Sequence, residues 1–194
     1  MKEKILHTAF DLYRKFGIKS ISMDTVAQEI GASKKTIYQW FENKDKLVEA
    51  SLDSFLEQVK IEPENQAENS VEELVKTLRL HNQKVAAINV SFFFDLQKYH
   101  AKANQKLDKY LTEALRPYFI QNLKNGISQG LYRKDINPEI VANLCIAIFS
   151  VVVDHEVFPA QKYQQPEVRL QCFKLFLRGI VTRKGKAFLE SSEA

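Results

Sequence analysis

Apolar positions recur every three or four residues from Ile5 onward, and this period predicts helices along nearly the whole chain. Ile5, Leu6, Ala9, Phe10, Tyr13 and Phe16 form one face of a first helix, with Lys4, Asp11 and Lys15 on the solvated side and Gly17 as a left-handed stop. A short second helix is expected from the Ser22 cap, with Asp24 in its first turn, Val26, Ala27 and Ile30 facing inward, and Gly31 closing it. Ser33 caps a third, Lys34 to Phe41, whose inner residues are Ile37 and Phe41. Asn43 caps a fourth, carried by Leu47, Ala50, Leu52, Phe55, Leu56 and Val59. Pro63 and the polar run Glu62 to Asn69, the clearest linker in the sequence, end it.

After the linker, Ser70 and Glu73 have the spacing of a capping box for a helix reaching about Ala87. A longer helical pattern runs from about Lys102 to Gly126 with Pro117 inside it, where a kink or break is expected. Asn137 with Pro138, and then Pro166, open two late helices, roughly Pro138 to Phe158 and Pro166 to Thr182. Both are apolar on more than one side, the pattern of helices buried all round. No repeat and no period-two alternation interrupts this, so the expected fold is all-α: a three-helix headpiece followed by a helical bundle.

A hydrophobic content of 45 % supports a real core, while 28 Lys and Arg against 24 Asp and Glu permit phosphate contact without demanding it. Cys145 and Cys172 sit in apolar runs and read as small buried hydrophobes. His7, His81, His100 and His155 are scattered, with no second ligand at metal spacing, so no metal and no cofactor are expected. Lys2, Glu3 and Lys4 lead directly into an amphipathic helix, and the apolar stretch Val141 to Val153 is shorter than the ~20 residues a bilayer requires. A cytoplasmic protein with no membrane partner follows as the expectation. Gly-rich phosphate loops, G-x-S-x-G, H-E-x-x-H and convincing carboxylate pairs are absent from the sequence, which argues against an enzyme.

The segment Met23 to Leu47 carries the informative chemistry. A helix-turn-helix needs apolar inner faces and a short polar outer face that enters the major groove. Val26, Ala27, Ile30, Ile37 and Phe41 can close against Phe10 and Tyr13, leaving Lys34, Lys35, Thr36, Tyr38 and Gln39 outward. By period and charge alone a solvated bundle end fits equally well, since the first 50 residues hold nine basic and seven acidic side chains. The linear motif decides. Ile21 to Leu47, ISMDTVAQEIGASKKTIYQWFENKDKL, resembles the signature of the TetR (tetracycline-repressor-like) family. It has an apolar-Ala pair, Gly-small-Ser, then apolar-Tyr-x-x-Phe-x-x-Lys-x-x-Leu. The resemblance covers about the first 50 residues. Beyond them it rests on the layout of helices and on Leu177 to Gly185, LRGIVTRKG.

The resemblance implies that Tyr38 and Lys44 clamp phosphates, and that Lys34, Lys35, Thr36 and Gln39 reach base edges or adjacent phosphates. Ser22, Ser33 and Trp40 complete the candidate DNA-contact set. Lysine can bond guanine O6 and N7, glutamine can bond adenine bidentately, and the threonine methyl can meet thymine. The family often has glycine or proline where Lys35 stands, which leaves the division between base and phosphate contacts open. Trp40 is expected to pack beside Phe41, with its indole N–H toward phosphate. The expected domains are residues 1–46, the DNA-binding headpiece, and 47–194, a ligand-binding and dimerisation domain.

For the body, the resemblance implies a homodimer built from the two late helices, with Leu144, Ile148, Val152, Phe173, Phe176, Leu177 and Ile180 at the interface and Gly179 allowing close approach. Two reading helices about 34 Å apart would then match a palindromic operator in double-stranded DNA. Middle helices would enclose an unidentified small-molecule effector, walled by Phe92, Phe93, Phe94, Tyr99, Tyr110 and Tyr118, with His81, Asn82 or His155 as polar contacts. A Phe run at helical spacing is equally the pattern of plain core. The expected function is a sequence-specific transcriptional regulator, by family habit a repressor, switched by that effector. The alternative is a helix-turn-helix protein of architectural or protein-regulated type without one.

Overall fold

Side-chain caps set most helix starts in this chain. Ser22, Ser33, Asn43 and Asn137 each accept a hydrogen bond from a backbone N–H in the first turn that follows, supplying a partner the helix itself cannot. The computed structural model describes residues 1–60, 67–85, 87–154, 156–159 and 161–193. Its helices are α1 (Lys2–Phe16), α2 (Met23–Glu29), α3 (Lys34–Tyr38), α4 (Lys44–Gln58), α5 (Ser70–Val85), α6 (Val90–Tyr99), α7 (Ala101–Lys109), α8 (Arg116–Ser128), α9 (Pro138–Val151), α10 (Gln165–Ile180) and α11 (Arg183–Glu193). A π-helical turn, Tyr110–Leu115, joins α7 to α8. The all-α expectation holds, and an isolated bridge between Tyr132 and Val181 is the extended pairing among the described residues. No helix among these residues is long and apolar enough to cross a membrane.

The chain divides into two compact units, Met1–Lys60 with Ala87–Tyr110, and Ile61–Ala86 with Leu111–Ala194. In the first, α1 packs on α2, α4 and α6, and α7 packs on α4 and α6. Phe10 of α1 stacks on Phe55 of α4 at 4.3 Å between ring centroids and meets Phe92 of α6 edge-on at 5.6 Å. Gly17 ends α1 with φ +80°, where a Cβ would come within 3.0 Å of Ser91 Oγ and Asp95 Oδ2, so both the backbone and the close approach of α6 call for glycine. Three hydrogen bonds hold that junction: Asn89 N–H to the Arg14 carbonyl (2.7 Å), Asn89 Nδ2 to the Lys15 carbonyl (3.4 Å), and Lys19 N–H to Asp95 Oδ2 (2.8 Å).

In the second unit, α8 packs on α5 and α9, α10 on α9, and α11 on α5. Tyr132 is completely buried at its centre. Its hydroxyl lies 2.9 Å from the Ser70 carbonyl and 3.0 Å from Asn122 Oδ1, while Asn122 Nδ2 donates to the same carbonyl and to Glu73.

Four boundaries differ from those read in the sequence. The Ser70–Glu73 capping box does not form: Asn69 Oδ1 accepts from Val71 and Glu72, one residue earlier, and Glu73 turns to Asn122 instead. Asn and Ser are equally good caps, so adjacent candidates compete closely. Helix α3 stops at Tyr38, three residues early, as the Ile37 carbonyl collects both the Trp40 and Phe41 N–H groups in a closing turn. Helix α9 stops at Val151, where the N–H groups of Val153 and Asp154 tighten to carbonyls three residues back. Helix α11 was not foreseen. Thr182 starts it by accepting the Gly185 N–H, and Gly185 sits where a Cβ would strike the Leu131 carbonyl. The break expected at Pro117 occurs just upstream, as the π turn, and Pro117 falls in the first turn of α8. Much of the polar run Glu62 to Asn69, residues 62–66, lies outside the described residues.

Candidate nucleic-acid interface

Helices α2 and α3 are short, and their geometry is fixed at each end. Ser22 Oγ accepts from Thr25 N–H (3.0 Å) while Thr25 Oγ1 accepts from Ser22 N–H (3.4 Å), a reciprocal cap. At the far end of α2, Gly31 (φ +69°) lets its own N–H reach the Gln28 carbonyl and the Ala32 N–H reach the Ala27 carbonyl. The turn that results delivers Ser33, whose Oγ accepts from Thr36 N–H (3.2 Å) to start α3. Lys4 reaches from α1 to the Ile30 carbonyl (3.1 Å), pinning the same turn from beneath.

The inner cluster forms as its pattern requires: Phe10, Tyr13, Val26, Ala27, Ile30, Ile37 and Phe41 are all buried, Ile37 completely. Burial raises the Tyr13 hydroxyl well above its ordinary range, with the nearby Asp45 charge adding to the effect. The opposite side of α3 faces solvent. Lys34, Lys35, Tyr38, Gln39 and Trp40 are exposed and Thr36 is partly so. Tyr38 is 45 % and Trp40 48 % exposed, so each keeps part of its ring covered and part open to solvent. The closing turn after Tyr38 swings Trp40 out while Phe41 turns in.

Several of the candidate contacts have a defined resting partner. Lys34 Nζ pairs with Asp24 at 2.9 Å and lies 5.9 Å from the Tyr38 ring centre. The Asp24 hydrogen bond, more than its charge, raises the Lys34 ammonium above its ordinary range. Lys44, the first residue of α4, folds back to the Lys19 carbonyl at 3.4 Å. Partial burial lowers its ammonium, opposed by Asp95 and Asp45. The hydroxyls of Ser22 and Ser33 are spent on caps, so their first role is to orient the reading helices. Asp24 as the partner of Lys34 was missed in the sequence, where it read only as a first-turn acid. Asp45 also accepts His100 Nδ1 at 2.8 Å, which ties the start of α7 to the start of α4.

The candidate effector residues divide between the two units. Phe92 is core in the first unit, between Phe10 and Phe93, whereas Phe94 and Tyr99 lie on the surface beneath the Lys98 ammonium. Tyr110 donates to the Val59 carbonyl at 2.8 Å, and burial raises its hydroxyl to about 12. His81 and Tyr118 belong to the second unit. Tyr118 shares a 2.7 Å hydrogen bond with Thr77, and the His81 ring meets Phe149 edge-on at 4.9 Å. Asn82 follows His81 on α5, and His155 lies outside the described residues.

The candidate dimer residues are sorted by the same packing. Val152, Phe173, Phe176, Leu177 and Ile180 are buried within the chain itself, so they are core and not free to meet a partner. Ile148 is half-buried and Leu144 is 54 % exposed. The apolar surface left open lies on the other face: Ile140, Leu144, Ala147 and Val151 along α9, and Leu170 and Leu175 on α10, the last 71 % exposed.

The sequence profile described as "Bacterial regulatory proteins, tetR family" matches residues 5–51. The HTH-type transcriptional regulator YdeS of Bacillus subtilis (strain 168) is 30 % identical over 149 residues, 72 % of this chain and 71 % of that protein. YvaF of the same organism, also an HTH-type transcriptional regulator, is 29 % identical over 184 residues, covering 93 % and 95 %. Among solved structures, a transcriptional regulator of Saccharomonospora viridis in complex with choline superposes with a TM-score of 0.73 at 16 % identity. The match covers 94 % of this chain and 98 % of that one.

Proposed function

This chain belongs to the TetR family of helix-turn-helix transcriptional regulators, and from that premise we propose that it works as a homodimer, gripping a palindromic operator and releasing it when an effector binds the body. DNA-binding regulation, not catalysis, is the family's activity. The observation that carries the detailed reading is the division of α3: Ile37 is completely buried while Lys34, Lys35, Tyr38 and Gln39 stand together in solvent. Residues 1–46 serve as the reading headpiece. Lys34, Lys35, Thr36 and Gln39 address base edges or neighbouring phosphates, with Tyr38, Lys44 and the Trp40 indole N–H on the backbone. Asp24 releases Lys34 when a phosphate or base competes for it. Such exposed pairs are weak, so the exchange costs little.

The exposed stripe Ile140, Leu144, Ala147 and Val151, with Leu170 and Leu175, is the surface we assign to the two-fold partner. Burial of such a stripe in a second copy removes apolar area from water at about 25 cal/mol per Å². An effector in the body, by preferring one conformation, shifts the spacing of the two reading helices. The related regulator crystallised with choline supports a fold able to hold a small molecule. Repression fits release on effector binding.

Selection of bound duplexes from random sequence tests this reading. Palindromic sites with half-sites about one helical turn apart are expected. Lys44→Ala should weaken all duplexes alike and reduce the salt slope by about 0.9 per lost phosphate contact, near 2 for a dimer. Tyr38→Phe should weaken binding with the slope unchanged, because it removes a hydrogen bond and no charge. A monomer that ignores double-stranded DNA in dilute salt ends the proposal.

A further inference from the structure

Six enclosed polar atoms of the second unit have no hydrogen-bond partner among the described residues, and they lie on two helices. They are Nε and Nη1 of Arg169 and both amide atoms of Gln165 on α10, with Nδ1 of His81 and Oδ1 of Asn82 on α5. Buried polar groups in folded proteins are satisfied with few exceptions, so such a concentration points to a missing partner. Arg169 is the telling member. It is 2 % exposed, burial lowers its guanidinium, and no carboxylate among the described residues acts on it. An uncompensated buried cation is among the costliest features a fold can carry.

The unpaired set contains both donors and acceptors. Gln165 Oε1 and Asn82 Oδ1 could each take the Arg169 N–H bonds were they in reach, so the groups stand too far apart to satisfy one another. Water can serve an amide, an imidazole or a guanidinium N–H, but an anion also compensates the guanidinium charge. The neighbouring wall is apolar: His81 meets Phe149 edge-on, and Phe149 contacts Phe173 at 5.0 Å and Phe119 at 6.2 Å. Burial first, then Lys84 and Arg169, hold the His81 pKa down at about 4, so at neutral pH it is an uncharged donor and acceptor. Arg169 is thus the buried cation of the cluster, with Lys84 exposed at its edge, and a single negative charge matches it.

We propose that Arg169, with Gln165 and His81, receives the carboxylate of a small organic monoacid whose apolar body lies against Phe149 and its aromatic neighbours. The proposal rests on the reading that this unit holds an effector, and it names that effector's chemical class.

The test uses the full-length dimer and matched probes: straight-chain carboxylates of four to twelve carbons and 4-phenylbutyrate, the alcohols and primary amines of the same bodies, and chloride and inorganic phosphate. Calorimetry measures binding, and fluorescence anisotropy measures release from the selected operator. At least one carboxylate should bind and release DNA, with its alcohol weaker by roughly 10- to 100-fold and its amine inactive, as expected for charge-assisted bonds. Arg169→Met should abolish the preference for carboxylate over alcohol while raising the thermal midpoint of the unliganded protein, since it removes a lone buried charge. A merely structural arginine would give the opposite stability change. Gln165→Leu should weaken the carboxylate and leave the alcohol unaffected. Equal binding of alcohol and acid, binding of chloride or phosphate alone, or unchanged affinity in Arg169→Met would overturn the anion assignment. Release by an amine, or by an alcohol at concentrations as low as its acid requires, would do so while leaving the effector reading intact. If no probe binds, the assignment falls. If no small molecule of any class releases DNA, the effector reading falls with it.

Discussion

Substituting Gly126 by alanine sets helix propensity against packing, and the two predict opposite signs. In an exposed helix interior the change stabilises by about 1 kcal/mol. Here the new Cβ would lie 2.1 Å from Tyr132 Cδ2 and 2.2 Å from Cε2, against an ordinary carbon contact of about 3.5–4.0 Å. The ring has nowhere to go: it is fully buried, and its hydroxyl is held between the Ser70 carbonyl and Asn122. The Gly126 backbone is equally fixed, because its carbonyl accepts from both Leu131 and Tyr132. Overpacking of this kind costs about 1–3 kcal/mol. Displacing the hydroxyl adds about 1–3 kcal/mol for a buried group left unpaired. With the propensity gain of about 1 kcal/mol subtracted, a net loss of about 1–5 kcal/mol is expected, or roughly 2–20 °C in Tm for a chain of this size. Urea and thermal unfolding followed by circular dichroism measure it. A variant as stable as the parent, or more stable, would refute the claim that Tyr132 is locked.

The assigned dimer surface predicts that Leu144→Glu with Leu175→Glu yields a folded monomer by light scattering, with the helical signal intact and operator affinity greatly reduced. Phe173→Glu, buried within the chain, should instead unfold the second unit. Ser33→Ala removes the α3 cap and should cost about 1 kcal/mol, seen as faster amide exchange across α3 and weaker binding to every duplex.

The reading helices were legible because each local signal agrees with the next: Ser22, Gly31, Ser33 and Asn43 punctuate the chain where the apolar period also breaks. The body was less so. In α9 and α10 both faces are apolar, and composition cannot say which face meets its own chain and which is left open. Packing alone sends Phe173, Phe176 and Ile180 inward and Leu170 and Leu175 outward. Arg169 shares the inner stripe with Phe173, Phe176 and Ile180, at spacings of four, seven and eleven, and a charge on that stripe was the available signal. Helix α11 escaped notice because Arg183–Glu193 is mostly polar, and its anchor, the fit of Gly185 against the Leu131 carbonyl, is a contact distant in sequence. The aromatic run of α6 misled because Phe92 and Phe94 differ in burial through their position on the helix alone.

The polypeptide passes between its two units three times, after residues 60, 86 and 110. The DNA-reading part is therefore not a cassette that could be cut out or grafted at a single seam: Phe92, which closes the Phe10–Phe55 stack, arrives from beyond α5. Chimaeras that exchange only the leading segment would inherit half of an aromatic core, whereas exchanging 1–60 and 87–110 together would carry it whole.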